Sequence, residues 1–220
     1  MIILESDTLE LRMLPARGAK IAGLSHRPSG SELLWQPDRR ALAGPDGDTP
    51  LEPGTPFDAA QAWGWDEMFP AINAETFVTD GGQEIAVPDH GELWTLPWEV
   101  EGPTGRSEAT LQVTGRTAAY RLRRRTVLSG GSVRNEYTLR NTSTAPLPWM
   151  WAAHPLLRLS AGTRLRAPAS LRRVRNALDS PAMPGYDRLF PFPGDEPRLD
   201  RCPDPNAGVA HKYFFEEPNT

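Results

Sequence analysis

Proline spacing limits this chain more than any other feature. Twenty-three prolines are scattered through 220 residues, about twice the usual fraction. Few windows can therefore hold a three-turn helix without a breaker. Helices should be scarce, and short runs rich in Leu, Val, Thr and Trp lie between turn-forming clusters instead. That is the pattern of an antiparallel sandwich or barrel.

The clearest unit is a hairpin. Tyr120 to Leu128 and Val133 to Leu139 flank Ser129-Gly130-Gly131-Ser132, whose glycines can take the positive φ that a two-residue turn requires. The turn sets Leu128 opposite Val133 and Leu122 opposite Leu139 on a core face. Arg125 then faces Glu136 on the other side, among Arg121, Arg123, Arg134 and Arg140, which read as a solvated strand face. Further strands are expected at Thr8 to Leu14, Lys20 to Ser25, Glu32 to Gln36, Ala109 to Thr114 and Pro148 to Leu159, and near Leu165 and Leu171. Pro37 to Phe57 and Ser180 to Gly208 show neither helical nor strand periodicity and read as long loops.

The length suits one all-β domain with a continuous core over residues 1–220. With 39% hydrophobic and 24% charged residues, the chain is too apolar to be disordered. A net charge of −4 supplies no attraction for a nucleic-acid backbone or an anionic membrane, which leaves small neutral ligands and other proteins as partners. Cys202 is the only cysteine, so no intrachain disulfide forms and a reducing cytoplasm fits. The opening residues Met1 to Asp7 lack a basic region and a long apolar run, so neither an export signal nor a membrane span is expected.

Four histidines and seven tryptophans carry most of the chemical information. Two histidines sit where the aromatics concentrate. One such region is Trp63-Gly64-Trp65-Asp66-Glu67-Met68-Phe69-Pro70, followed by Pro88-Asp89-His90-Gly91-Glu92-Leu93-Trp94. The other is Trp149-Met150-Trp151-Ala152-Ala153-His154-Pro155. A sugar presents flat C–H patches fringed by hydroxyls, so its site needs aromatic faces beside Asp, Glu and His. Both requirements are met. The same residues also suit packing, because Trp in a sandwich is often core and His beside Gly or Pro is often a satisfied loop residue.

Taken in order, the Gly64-to-Pro70 block, the Asp89-to-Trp94 block and His154-Pro155 ending a strand resemble the aldose 1-epimerase (galactose mutarotase-like) superfamily. Gly18-Ala19-Lys20-Ile21 and Tyr137-to-Asn141 add to the likeness, which covers most of the chain to about His154. The resemblance implies a large antiparallel β-sandwich, the galactose mutarotase-like supersandwich. It also implies cofactor-free interconversion of the α and β anomers of a free sugar. Ring opening removes the proton of the anomeric hydroxyl and delivers one to the ring oxygen, so an acid and a base must flank the sugar. By resemblance His154 is the acid and His90 a second donor. Trp65, Asp66, Glu67, Asp89, Trp94 and Trp151 are then expected to bind the substrate.

One element of the family pattern is not found. The resemblance implies a glutamate base on a strand well beyond Lys212-Tyr213-Phe214, and the sequence stops at Thr220; Glu216 and Glu217 follow Lys212 too soon to match it. Three readings stay open: a fragment lacking its C-terminal strands, a compact variant with another base such as Glu67 or Asp89, and a non-catalytic carbohydrate-binding protein. Sheet edges left open would favour a homodimer. No metal is expected, because His90, His154, Asp89 and Glu92 form no HxH or HxxxH pair. His26 and His211 read as structural or surface residues. Cys202 sits in a proline-rich loop with no matching histidine, and no glycine-rich phosphate loop is present.

Overall fold

The computed structural model describes residues 1–37, 48–52, 54–58, 60–79, 81–82 and 84–216. No α-helix occurs among them, as the proline spacing predicts. The chain, expected to form one domain, divides into two compact units, Met1–Arg158 and Leu159–Thr220.

The first unit holds two antiparallel sheets. One contains β1 (Ile2–Glu5), β2 (Leu9–Leu14), β3 (Lys20–His26), β4 (Ser31–Glu32), β5 (Trp65–Met68) and, from much later in the chain, β12 (Ala152–Pro155). Its order is β1-β2-β3-β5-β12, with β4 paired to β3. After a two-stranded ribbon of β6 (Glu75–Val78) and β7 (Glu84–Val87), the second sheet follows in the order β11-β10-β9-β8. Its strands are β8 (Glu99–Val100), β9 (Glu108–Thr114), β10 (Tyr120–Ser129) and β11 (Ser132–Asn141).

Alternation along the strands builds the core between these sheets. Leu9, Leu11 and Met13 of β2 and Ile21 of β3 meet Ala109, Leu111 and Val113 of β9 and Tyr120, Leu122 and Leu128 of β10 in one cluster. Each such side chain, fully buried, contributes about 1.5–3 kcal/mol. The hairpin has the expected register, with Leu128 opposite Val133, Leu122 opposite Leu139 and Arg125 opposite Glu136. Gly130 takes φ of 53° at the first central position of the turn, the type II′ requirement.

Two expected strands are shorter than predicted, for identifiable reasons. The ladder after β4 stops at Glu32 because the Glu32 carboxylate itself accepts the backbone N–H groups of Leu24 and Leu34. Beyond it only an isolated bridge, Leu34 to Leu157, continues the pairing. The stretch from Pro148 to Leu159 is a strand only over Ala152–Pro155, since the prolines at 148 and 155 have no N–H to give. Strands β1, β5, β6 and β7 were not foreseen; each has four residues, too few for alternation to stand out.

The second unit has its own sheet, β14-β13-β15, made of β13 (Arg173–Asn176), β14 (Leu189–Pro191) and β15 (Tyr213–Phe215). Val174, Met183 and Leu199 form its core, with Phe190, Phe192, Tyr213 and Phe215 packed around them. The stretch from Ser180 to Gly208, read as loop, thus contributes a strand and two core residues. Glu216 pairs with Arg173 and Arg175, whereas Glu217 lies outside the described residues. Near Leu165 the expected strand is a bridge from Arg164 to Arg201.

Candidate functional site

The site is organised by the pairing of β5 with β12, which sets His154 opposite Asp66 and Ala153 opposite Glu67. Directly opposed residues leave an antiparallel sheet on the same face, with Cβ atoms about 5 Å apart. Asp66 and His154 therefore share one face, while Glu67 shares the other, core-side face with Trp65.

His90 reaches this region from a tight turn. Gly91 N–H donates to the Pro88 carbonyl at 2.9 Å, and His90, third in the turn, has φ of 64°. This is the type II pattern, whose third position favours Gly or Asn, so a histidine there carries some backbone strain. Gly91 continues at φ of 68° and passes so close to the Phe69 backbone that a Cβ would collide with the Phe69 carbonyl. That approach, a parallel bridge between Phe69 and Gly91, anchors the His90 turn beside the end of β5. The Nδ1 of His90 lies 2.7 Å from an Asp89 carboxylate oxygen. A carboxylate only accepts, so Nδ1 carries hydrogen and Nε2 is left for other partners.

The two histidines meet. Their ring centroids are 5.9 Å apart at 86°, and Phe57 lies against both. Phe57 stacks on His90 at 4.2 Å and 15° and presents an edge to His154 at 5.4 Å and to Trp94 at 5.1 Å. Trp94 is itself buried, so it backs the cluster. Phe57 was not singled out from the sequence. It sits in Thr55-Pro56-Phe57-Asp58, within a stretch that has no periodicity to mark it.

On the face shared with His154, Asp66 is 1% exposed and pairs with a fully buried Lys20 at 2.6 Å. The Lys20 ammonium also donates to the carbonyls of Gln61 and Trp63 at 2.9 and 2.8 Å, which uses its three hydrogens, and it lies 4.3 Å from the centre of the Trp63 ring. Burial lowers the Lys20 pKa, and burial, opposed by Lys20, pushes Asp66 up to about 6. Lys20 occupies Oδ2; Oδ1 is buried with no hydrogen-bond partner among the described residues.

Glu67 has a different setting. One oxygen accepts from Arg124 at 2.9 Å and from the Tyr137 hydroxyl at 2.5 Å, and the other accepts from the Trp151 indole N–H at 2.7 Å. Arg124, fully buried, also donates to the Ala19 carbonyl at 2.6 Å and lies over the Trp98 ring. The burial of Tyr137 beside Glu67 raises its hydroxyl pKa. Trp65 packs against the main core.

Of the residues expected to bind a sugar, Asp89 holds His90, Trp94 lies behind Phe57 and Asp66 stands opposite His154 in the ladder, while Trp65 and Glu67 leave β5 on the other face, where the exposed Trp151 donates to Glu67. Alternation along four-residue β5 forces this division, because neighbours in a strand cannot line one face. Glu92 is taken up by a turn, accepting from the Arg116 and Thr117 backbone and the Thr117 hydroxyl. Among the described residues no three His, Cys, Asp or Glu side chains cluster as metal ligands, and no helix is long and apolar enough to cross a membrane.

No protein-family model and no curated protein matches the sequence. Solved structures do match. The Slr1438 protein of Synechocystis sp. PCC 6803 superposes with a TM-score of 0.67 at 20% identity, over 88% of this chain and 64% of that one. A provisionally named aldose 1-epimerase of Escherichia coli K12 gives 0.62 at 19% identity, over 92% and 66%. A galactose mutarotase-like protein of Lactobacillus casei ATCC 334 gives 0.57 at 15%, over 87% and 67%. The chain thus spans 64–67% of the length of these relatives. Likeness at this identity speaks for the fold, and the chain has the all-β sandwich fold of the galactose mutarotase-like proteins.

Proposed function

We propose that this protein opens and recloses the ring of a free sugar, interconverting its anomers as an aldose 1-epimerase-like isomerase. The observation that carries the reading is the meeting of His90 and His154, distant in sequence, with ring centroids 5.9 Å apart. An imidazole can be protonated near neutral pH and can give its proton to the ring oxygen as the C1–O5 bond breaks. In this reading His154 is the acid and His90, held by Asp89 through Nδ1, donates from Nε2 to the ring oxygen or a neighbouring hydroxyl. Phe57, backed by the buried Trp94, supplies the apolar surface on which a sugar's C–H face rests.

A second reading, sugar binding without turnover, draws on the engagement of Glu67 and Asp89: the first is saturated on the core side and the second is tied to His90. The test is polarimetry of freshly dissolved α-D-glucose and α-D-galactose with the wild-type protein and His154→Gln. Acceleration that the substitution reduces by about 100-fold or more is expected for acid catalysis. Sugar binding without acceleration would favour the second reading.

A further inference from the structure

We infer that Lys20 is a positioning residue of this site: its buried ammonium clamps the loop that carries Phe57 and so holds that ring on His90. What the ring does for a sugar rests on the anomer-interconverting reading; how the ring is held rests on geometry alone.

Phe57 has no strand to fix it. It precedes Asp58, whose backbone carbonyl accepts the N–H groups of Gln61 and Ala62 at 3.0 and 2.9 Å. The Asp58 carboxylate accepts the N–H of Ala60 at 2.9 Å. These bonds close the chain into a turn directly after the ring, and Lys20 grips the far end of that turn. Burying an ammonium is costly, and pairing it with Asp66 uses one of its three hydrogens. The other two go to the carbonyls of Gln61 and Trp63 at 2.9 and 2.8 Å. The ion pair has no need of those two bonds; the loop does, because an apolar side chain at position 20 could not serve its carbonyls. Trp63, 2% exposed, packs with Leu14 and Ala22, and Arg17 adds a second hold by donating to the Gln61 side chain at 2.7 Å. Between Gln61 and Phe57 lies the closed turn alone, so the ring follows the clamp.

While the clamp holds, the Phe57 ring covers one face of His90 and stays at the edge of His154, as the apolar surface for a sugar's C–H face. Releasing it leaves both imidazoles in place. His90 is fixed by Asp89 and by the approach of Gly91 to Phe69, and His154 by its strand. Lys20 therefore acts on sugar binding rather than on proton transfer.

The experiment follows diethyl pyrocarbonate modification of His90 by peptide mass spectrometry, with His26 and His211 as internal controls and folding checked by circular dichroism. Asp66→Asn removes the ion pair but leaves Lys20 its two carbonyls, so the His90 rate should stay within about twofold of wild type. Lys20→Met combined with Asp66→Asn removes the clamp without stranding a charge, and the rate should rise several-fold, to that of Phe57→Ala. In a Phe57→Ala background the same two changes should add less than about twofold, because both act through one ring. Additive rises would mean general loosening and overturn the inference, as would a His90 rate unmoved by loss of the clamp. If the Lys20 variant does not fold, Asp58→Gly, at an exposed position, opens the turn instead. A several-fold rise that disappears in the Phe57→Ala background supports the clamp, and an unchanged rate overturns it. Polarimetry with α-D-galactose and α-D-glucose tests the consequence for the sugar: loss of the clamp should raise KM several-fold with kcat within about threefold of wild type. An unchanged KM despite faster His90 modification overturns the role in sugar binding. Wild-type protein that accelerates neither sugar overturns the anomerase reading, and His90 modification then decides the clamp by itself.

Discussion

Phe57 stacks on His90 with ring centroids 4.2 Å apart and planes within 15° of parallel, so one face of the imidazole is covered by a residue from an irregular segment. The contact shields His90 and contributes about 1 kcal/mol beyond area burial. Phe57→Ala should uncover it. The rate at which diethyl pyrocarbonate modifies His90, followed by mass spectrometry of the peptide, should rise several-fold, while stability falls by about 1–2 kcal/mol. An unchanged modification rate would mean that the stack does not govern access to the imidazole.

Gly91 allows the His90 turn to lie against Phe69. Its φ of 68° is strained for any L side chain, and a Cβ would meet the Phe69 carbonyl. Gly91→Ala should therefore cost about 2 kcal/mol or more in urea denaturation and shift the His90 ring off Phe57. Loss of the ring-current shift on the Phe57 protons would report the second effect. Gly82→Ala is the control, since its φ of 76° carries the same backbone strain with open space around it.

The Glu67–Arg124 pair is fully buried on both sides. Removing one member strands the other charge. Glu67→Ala should cost about 3–5 kcal/mol, whereas the double change Glu67→Leu with Arg124→Met should cost far less. Tyr137→Phe, which leaves the pair intact, should cost about 1 kcal/mol. Urea midpoints of the four proteins test this directly, and a double mutant no better than Glu67→Ala would assign the loss to packing.

This network also shows what could be read from the sequence and what could not. The β10–β11 hairpin was legible residue by residue because a two-glycine turn sets the register and ten-residue strands display their alternation. The same alternation puts Arg124 on the core face with Leu122 and Leu128, a signal present in the sequence but masked by three neighbouring arginines, Arg121, Arg123 and Arg125, that face outward. The partner, Glu67, lies in a four-residue strand where period cannot be measured, so Asp66 and Glu67 were assigned together although they point to opposite faces. His90 and His154 are 64 positions apart in the chain, and only a family pattern could bring them together beforehand. Phe57 had no pattern at all, because its place depends on tertiary contact alone.

Asp66 makes a final prediction about stability. Its ordinary carboxyl value of 3.8 is raised to about 6, first by burial and against the pull of Lys20. Between about pH 4 and pH 6 the folded protein therefore holds a proton that the unfolded chain has released. Stability from this group is present in full below about pH 4 and is lost as pH rises through 6. The shift corresponds to a loss on the order of 3 kcal/mol. Asp66→Asn does not titrate, so the difference in unfolding free energy between wild type and this variant should decline in wild type's disfavour from pH 4 to pH 7. A difference that stays flat across that window would mean that Lys20 offsets the cost of burial completely. The carboxyl would then ionise in its ordinary range and could not lose its charge near the pH at which imidazole titrates.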